Sequence, residues 1–499
     1  MSSPDPRFNV IEATIDGIHR AYRSGRLTAR QLVQMYLDRI EAYDKQGPAI
    51  NAIITINQNA LEEADGLDAA FKASGFVGPL HGIPVVMKDQ GDVKSMPTTL
   101  GSVLFKEYYP DRDAFVVEKL KKAGAIVLAK TTLGELGAGD THGSLFGSTR
   151  NPYDLDRTVG GSSGGSGASV SANYAAVGIG QEGFASIRRP STWNCIVGMR
   201  PTAGLVSRGG VYAGWPSVAG SLGPMCRTVT DLAKLLDIMV GYDPEDPLTA
   251  RGVGQVPGTY TKFLDKNGLK GARLGVLRES IGFHAEPDSA DFKKITEVFD
   301  RTIAELKAAG AEIVDPIVIP DLKPSLAKRA GSFADEEEAF KVYLGRSANP
   351  SYKSREEAKR SSEFPKVGRG ARDRWERRAE PSAHYEYLKA RDEMMTAVLK
   401  VMADNKLDAI VHKAVEHQPT LIKDGINPPY VDQKGAPHLN TFLVFVPSIV
   451  VPAGFTRENL PAGITFLGRP YDDGNMIKLA FAYEQATHHR RPPASVTPL

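Results

Sequence analysis

Apolar residues recur at helical spacing through the first part of the chain. Ile11, Ile15, Ile18 and Tyr22 fall three to four residues apart, and Thr28 with Gln31 spells a capping box ahead of Leu32, Val33, Tyr36, Leu37 and Ile40. Residues 1–75 are therefore expected to form a helical segment packed on the core. The pattern then changes to short apolar runs bounded by Gly and Pro, as strands buried on both faces are. These runs are IPVVM ending at Met87, AIVLA ending at Ala129 and AAVGI ending at Ile179, then Arg273–Leu277, Ala311–Val314, Asp408–His412, Ser448–Val451 and Gly463–Leu467. Between two of them Phe292, Ile295, Val298, Phe299, Ile303 and Leu306 mark one face of an amphipathic helix, closed by Gly310. Strands alternating with helices predict an α/β fold whose sheet is covered on both faces. No internal repeat or low-complexity linker divides the chain, so residues 76–499 read as a single domain.

One stretch departs from this pattern. Ser332 to Glu380 is polar, with Arg369, Arg372, Arg374, Arg377 and Arg378 interleaved with acids. Such a run is most often a solvated helix face. The alternative is a cap-like insertion, about 332–404, that covers a site and turns Trp375 or Tyr352 toward a ligand.

Composition narrows the function classes. The chain has 499 residues, 41% of them hydrophobic and 24% charged, enough for a large core. A formal net charge of +2 gives no electrostatic footprint for nucleic acid. No run approaches the ~20 apolar residues of a membrane span, and the N-terminus lacks the pattern of a secretory signal. A cytoplasmic location is expected. Cys195 and Cys226 fit no zinc or redox spacing and read as small buried hydrophobes. No HExxH is present, and His412 and His417 are five apart, awkward for one helix face, so no metal is expected.

The chemistry concentrates between Thr158 and Gly204. A loop, GGSSGGSG, starts at Gly160 and leads into a run of small residues. A phosphate cradle of the nucleotide-binding type would need a GK[ST] after the loop, and none follows. Gly160 to Gly164 does spell GxSxG, but a nucleophile elbow lies between a buried strand and a helix. The preceding RNPYDLDRTV reads as turn-like.

The whole segment resembles the amidase signature. The loop is followed by GQEGFASIRRP, Gly180 to Pro190, and then by GMRPT, Gly198 to Thr202. Upstream, HGIPVVMKD places a lysine at Lys88, and Leu133–Asp154 and the tail FVPSIVVPAGF…LPAGITFLGRPYDD also match. The resemblance runs from Ala29 to Ala486 and is weakest from Ser332 to Asp404.

The resemblance implies the amidase signature fold, a large twisted mixed β-sheet, and a serine hydrolase that needs no cofactor. It implies that Ser186 attacks, Ser162 bridges and Lys88 is the base, with Ser163 supporting the bridge by hydrogen bonding. Lys88 must then be neutral, which burial behind Val85 and Val86 promotes provided that Asp89 points away. A cis Gly161–Ser162 peptide, an oxyanion hole from the N–H groups of Gly183, Phe184, Ala185 and Ser186, and a loop held by Arg188 and Glu182 are implied as well. Leu136, Gly137 and Ala138 match a segment that lines the acyl pocket, or else simply pack a loop. The implied substrate is a small amide, aryl amide, hydrazide or carbamate, and the implied assembly a homodimer. The alternative is an A-type amidotransferase subunit within a tRNA-amidating complex. Gly-Gly usually precedes the nucleophile there, whereas this chain has Phe184-Ala185. A non-catalytic binding relative would not be expected to keep all three catalytic positions.

Overall fold

Strands form where short β-branched runs end at Gly or Pro, because such residues pack well on a pleated, buried surface. The computed structural model describes residues 8–212, 220–329, 336–377 and 380–499. Its centre is one 11-stranded sheet. The strands are β1 (Ile53–Ile56), β2 (Pro84–Lys88), β3 (Ile126–Thr131), β4 (Val177–Glu182), β5 (Val197–Arg200), β6 (Ser221–Cys226), β7 (Arg273–Leu277), β8 (Glu312–Ile317), β9 (Ala409–Lys413), β10 (Ser448–Phe455) and β11 (Pro461–Leu467). Their order across the sheet is β1-β3-β2-β4-β6-β5-β10-β11-β9-β7-β8. The pairs β3–β2, β2–β4, β9–β7 and β7–β8 are parallel and the others antiparallel, so the sheet is mixed.

The helices used below are α1 (Ile15–Arg23), α2 (Ala29–Tyr43), α3 (Ala60–Ser74), α4 (Gly164–Ser171), α5 (Arg188–Trp193), α6 (Ala290–Ala308), α7 (Glu336–Leu344), α8 (Arg369–Glu376), α9 (Pro381–Asp404) and α10 (Asp473–Thr487). Side chains alternate across a strand, and β9 shows the consequence. Ala409 and Val411 join the core that holds Ile295, Val298 and Phe299 of α6 and Met476 of α10. Ile410 joins the other core, with Tyr387, Met394 and Val398 of α9. Burying each such side chain stabilises the fold by roughly 1.5–3 kcal/mol, so helix and sheet are held by the stripe legible in the sequence.

Two expectations are corrected. The N-terminal segment is not helical throughout: α2 begins at the expected capping box, but Ile53–Ile56 forms β1, antiparallel to β3 at the sheet edge. Four residues are too few to display a helical period, and β-branched Ile-Ile-Thr-Ile pairs readily with an open edge. The polar stretch from Ser332 is not a plain solvated face either. Phe340, Tyr343, Leu344, Phe364, Ala371 and Trp375 bury together against Leu100, Phe105, Leu136 and Tyr212. Trp375 lies edge-on to Phe340 at 5.5 Å and Tyr352 edge-on to Phe105 at 5.7 Å, so both rings serve this cluster. Arg369 and Arg377 are exposed, Arg372 and Arg374 are half-buried, and Arg378 and 332–335 lie outside the described residues. Among the described residues no helix is long and apolar enough to cross a membrane.

Candidate active site

β2 and β4 are parallel neighbours, with Val85 opposite Val177 and Met87 opposite Ile179. Their carboxyl ends therefore emerge side by side, where open α/β sheets place their sites. Lys88 is the last residue of β2, Ser162 lies just ahead of α4, and Ser186 lies in the turn between β4 and α5. Lys88 Nζ is 2.7 Å from Ser162 Oγ and 3.4 Å from the Gln181 carbonyl, and Ser162 Oγ is 2.7 Å from Ser186 Oγ. Lys88 and Ser162 are fully buried, whereas Ser186 is half-buried.

Glycine allows this approach. The peptide Gly161–Ser162 is cis, and a Cβ on Gly161 would stand 2.1 Å from the Gly139 carbonyl oxygen. One on Gly165 would stand 2.3 Å from Thr132 Oγ1. Gly161→Ala is expected to destabilise the protein by about 1–3 kcal/mol, read as a lower melting temperature, because the obstructing atom is backbone and cannot swing aside. The residues before Gly160 do form a short strand, Asp154–Thr158, but it pairs with Arg150–Asn151 in a separate ribbon. A nucleophile elbow would require a strand of the main sheet there.

Burial holds the Lys88 amine well below the ordinary lysine range; Glu182 opposes the shift and Arg374 adds to it. Asp89 points away from Lys88. It pairs with Lys130 at 2.7 Å and accepts from the Thr99 N–H at 3.0 Å. Glu182 organises the turn that carries Ser186. It accepts from the N–H groups of Ile187 and Arg188, each at 2.9 Å, and pairs with Arg188 at 2.5 Å and Arg200 at 3.7 Å. Burial alone would raise the Glu182 pKa, but the two guanidiniums overcome it and keep the group below the usual carboxylate range. Arg200 comes from the GMRPT motif, whose Thr202 is tied to Asp473 by hydrogen bonds of 2.9 and 2.6 Å. Among the described residues, the N–H groups of Gly183, Phe184, Ala185 and Ser186 donate to no protein acceptor.

The Ser163 hydroxyl does not reach Ser162. It bonds the Gln181 backbone at 3.1 and 3.2 Å, while the Ser163 N–H donates to the Ser186 carbonyl at 3.0 Å. Ser163 thereby clamps the two serine loops through the main chain. In the 134–139 loop, the Gly134 N–H donates to the Ser162 carbonyl at 3.0 Å. The Leu136 side chain is buried in the aromatic cluster, whereas Gly137 and Ala138 are half-buried, with Gly137 beside Gln90 and Tyr212. The polar stretch fastens onto this loop: the Gly368 N–H donates to Glu135 at 2.8 Å, and Arg374 donates to the Leu136 carbonyl.

The sequence profile described as Amidase matches residues 31–477. The chain belongs to the amidase signature family. Among its relatives is an Arabidopsis thaliana protein named "probable amidase", 32% identical over 97% of this chain and 92% of its own. Another is the A-type subunit of the glutamyl-tRNA(Gln) amidotransferase from Symbiobacterium thermophilum, 32% identical over 96% of this chain and 97% of its own. The peptide amidase of Stenotrophomonas maltophilia superposes with a TM-score of 0.86 at 31% identity, covering 97% of this chain and 99% of its own. The large mixed sheet is the fold of the amidase signature, and the protein is an amidase-family enzyme acting on carbon–nitrogen bonds. Beyond the motifs, the structure brings in Gln90, which donates to the Tyr212 carbonyl at 2.8 Å and to Gln181 at 3.3 Å. Arg374 and Arg329 also reach the site from outside the motifs. Neither arginine carries a local sequence signal, since both sit among ordinary surface charges in the chain.

Proposed function

We propose that the protein is a stand-alone amidase that hydrolyses small organic amides through an acyl-enzyme on Ser186. The observation that carries this reading is the continuous Ser186–Ser162–Lys88 contact, 2.7 Å at each step, ending on a buried amine. Either hydroxyl can donate or accept. In the reactive polarity Ser186 donates to Ser162, and Ser162 donates to the lone pair of neutral Lys88. As Ser186 Oγ bonds to the carbonyl carbon, its proton passes to Ser162, and the Ser162 proton passes to Lys88. The carbonyl electron pair moves onto oxygen, where the N–H groups of the 183–186 turn oppose the charge. Collapse breaks the C–N bond, and the proton returns through Ser162 to the leaving nitrogen. Water then repeats the sequence on the acyl-serine, releasing the acid and restoring Ser186. Gly137 and Ala138 would line the acyl side.

Intact-protein mass after treatment with a fluorophosphonate tests the assignment. One adduct per chain is expected, absent in Ser186→Ala; an adduct that survives in Ser186→Ala would sink the reading.

The Arg374 cation also makes a prediction. Lys88 acts as a base only when neutral, so kcat/KM should rise as pH passes upward through its pKa. Arg374 lowers that pKa. Arg374→Gln should therefore move the acid limb of the pH–rate profile to higher pH, and an unmoved limb would count against the coupling.

A second reading, an amidotransferase component, is favoured by the similarity to the Symbiobacterium protein. Phe184-Ala185 before Ser186 argues against it. Turnover of simple amides by the isolated chain separates the two.

A further inference from the structure

Ser162 is held from outside its own loop. The Thr141 N–H and hydroxyl donate to the Gly160 carbonyl at 3.0 and 2.7 Å, and the Thr141 hydroxyl oxygen accepts from the Gly164 N–H at 3.1 Å. Together with the Gly134 bond to the Ser162 carbonyl, residues 134–141 grip this loop before, at and after Ser162. The grip is tight, since a Cβ on Gly161 would also stand 2.9 Å from Asp140 Cα. From the end of the gripping segment the Asp140 side chain reaches across and pairs with Arg189.

Arg189 belongs to the other serine. It lies in the first turn of α5, shortly after Ser186, and its N–H donates to the Ala185 carbonyl at 2.9 Å. Its side chain is fully buried, whereas that of Asp140 is 16% exposed. The guanidinium carbon lies 4.3 Å from the ring centroid of Trp193, whose indole N–H donates to the His417 carbonyl at 3.1 Å, so the cation rests on an anchored ring. The Arg189 stem also packs on the Ser162 loop, because a Cβ on Gly160 would stand 3.4 Å from Arg189 Cγ. Among the described residues, Asp140 is the one carboxylate paired with Arg189. Burial pushes the Asp140 carboxyl up to about 6; Arg189 opposes the shift, and Asp432, which accepts from the Asp140 N–H at 2.7 Å, adds to it. Asp140 is therefore still an anion at neutral pH.

We propose that the Asp140–Arg189 ion pair is a brace that sets the Ser162–Ser186 contact, so that both are positioning residues for proton transfer. This rests on the assignment of Ser186 as the nucleophile. The main-chain bond from the Ser163 N–H to the Ser186 carbonyl ties the two serine segments at one point, and a single hydrogen bond leaves them free to pivot about it. The ion pair adds a second point of attachment, from residues 134–141 to α5. A relay of two 2.7 Å steps needs that fixed spacing, since a displacement of about 1 Å can cost about a hundredfold in rate. Without the Asp140 charge a fully buried guanidinium loses its counterion, and the strain is relieved by moving the turn that carries it.

Asp140→Asn, Arg189→Met and the variant carrying both changes test the brace. Each should lower kcat by about ten- to hundredfold on an anilide that the wild type cleaves, leave KM within about threefold, and slow fluorophosphonate labelling of Ser186 by a factor like that in kcat. The double variant should be no slower than the slower single one, because both changes break the same link. Arg189→Lys keeps the charge but not the planar fork, so its kcat should lie about three- to tenfold below wild type and above that of Arg189→Met. The double variant and Arg189→Lys bury no unpaired charge, so they carry the test where thermal melts show that a single variant does not fold. A folded double variant, or Arg189→Lys, with kcat and labelling rate within about twofold of wild type would overturn the proposal. So would losses in the single variants that multiply in the double. Failure of the nucleophile assignment would look different, as labelling that persists in Ser186→Ala.

Discussion

Ser186→Ala is expected to lower kcat by about 10⁴-fold or more on every amide that the wild type cleaves, with little change in KM. In the proposed mechanism the substitution removes the attacking atom and leaves the rest of the site in place. Lys88 keeps its 2.7 Å contact to Ser162, and Glu182 keeps the turn through its bonds to Ile187 and Arg188. Because Ser186 is half-buried and its hydroxyl is small, the cost to stability should stay within about 1 kcal/mol. Progress curves on a chromogenic anilide, together with thermal melts, provide the check. A loss of less than about tenfold would mean that another group attacks.

Lys88→Met is expected to lower kcat/KM by about 10²–10⁴-fold and to abolish the acid limb of the pH–rate profile. Methionine is similar in length and apolar, so it suits a site that already disfavours the ammonium. The stability effect has a definite sign. The folded state holds Lys88 well below the ordinary value of 10.5. Between the two values the unfolded chain carries the extra proton, so wild-type stability rises with pH across that window. Lys88→Met has no such term. The stability of the wild type relative to the variant should therefore be lowest at the acid end of the window and should recover as pH approaches 10.5. Opposing this, Ser162 loses a partner, at a cost of about 1 kcal/mol. Denaturant melts of both proteins at several pH values test the sign; a difference that ignores pH would indicate that Lys88 is charged in the folded state.

The parts of the fold with long periods were legible in the sequence. The α6 stripe from Phe292 to Leu306 is buried as its spacing predicts, and Arg273–Leu277 is a strand to the residue. Elements whose signal is short or broken were not. β1 is four residues long, and β6 reads Ser-Leu-Gly-Pro-Met-Cys, where Gly and Pro hide a strand buried throughout. At the site, Lys88, Ser162 and Ser186 could be named only because their motifs resemble the amidase signature, since Lys88 stands 74 residues before Ser162. Arg329 and Arg374 could not, since a charge reads as solvated until tertiary packing turns it inward. The polar stretch shows the same limit, because Phe340, Phe364 and Trp375 are too far apart along the chain to show that they share one cluster.

Ser162 and Ser186 are separated by a single outward helix and a single returning strand, α4 and β4. The circuit closes on itself, so its length is a mechanical setting and cannot absorb change as a loop would. Adding or deleting one residue in β4 would turn alternate side chains to the opposite face and carry Ser186 away from Ser162. The segment from residue 336 to 377 lies outside this circuit. The architecture thus sets the spacing of the two serines like a gauge, apart from the segment that packs over the 134–139 loop.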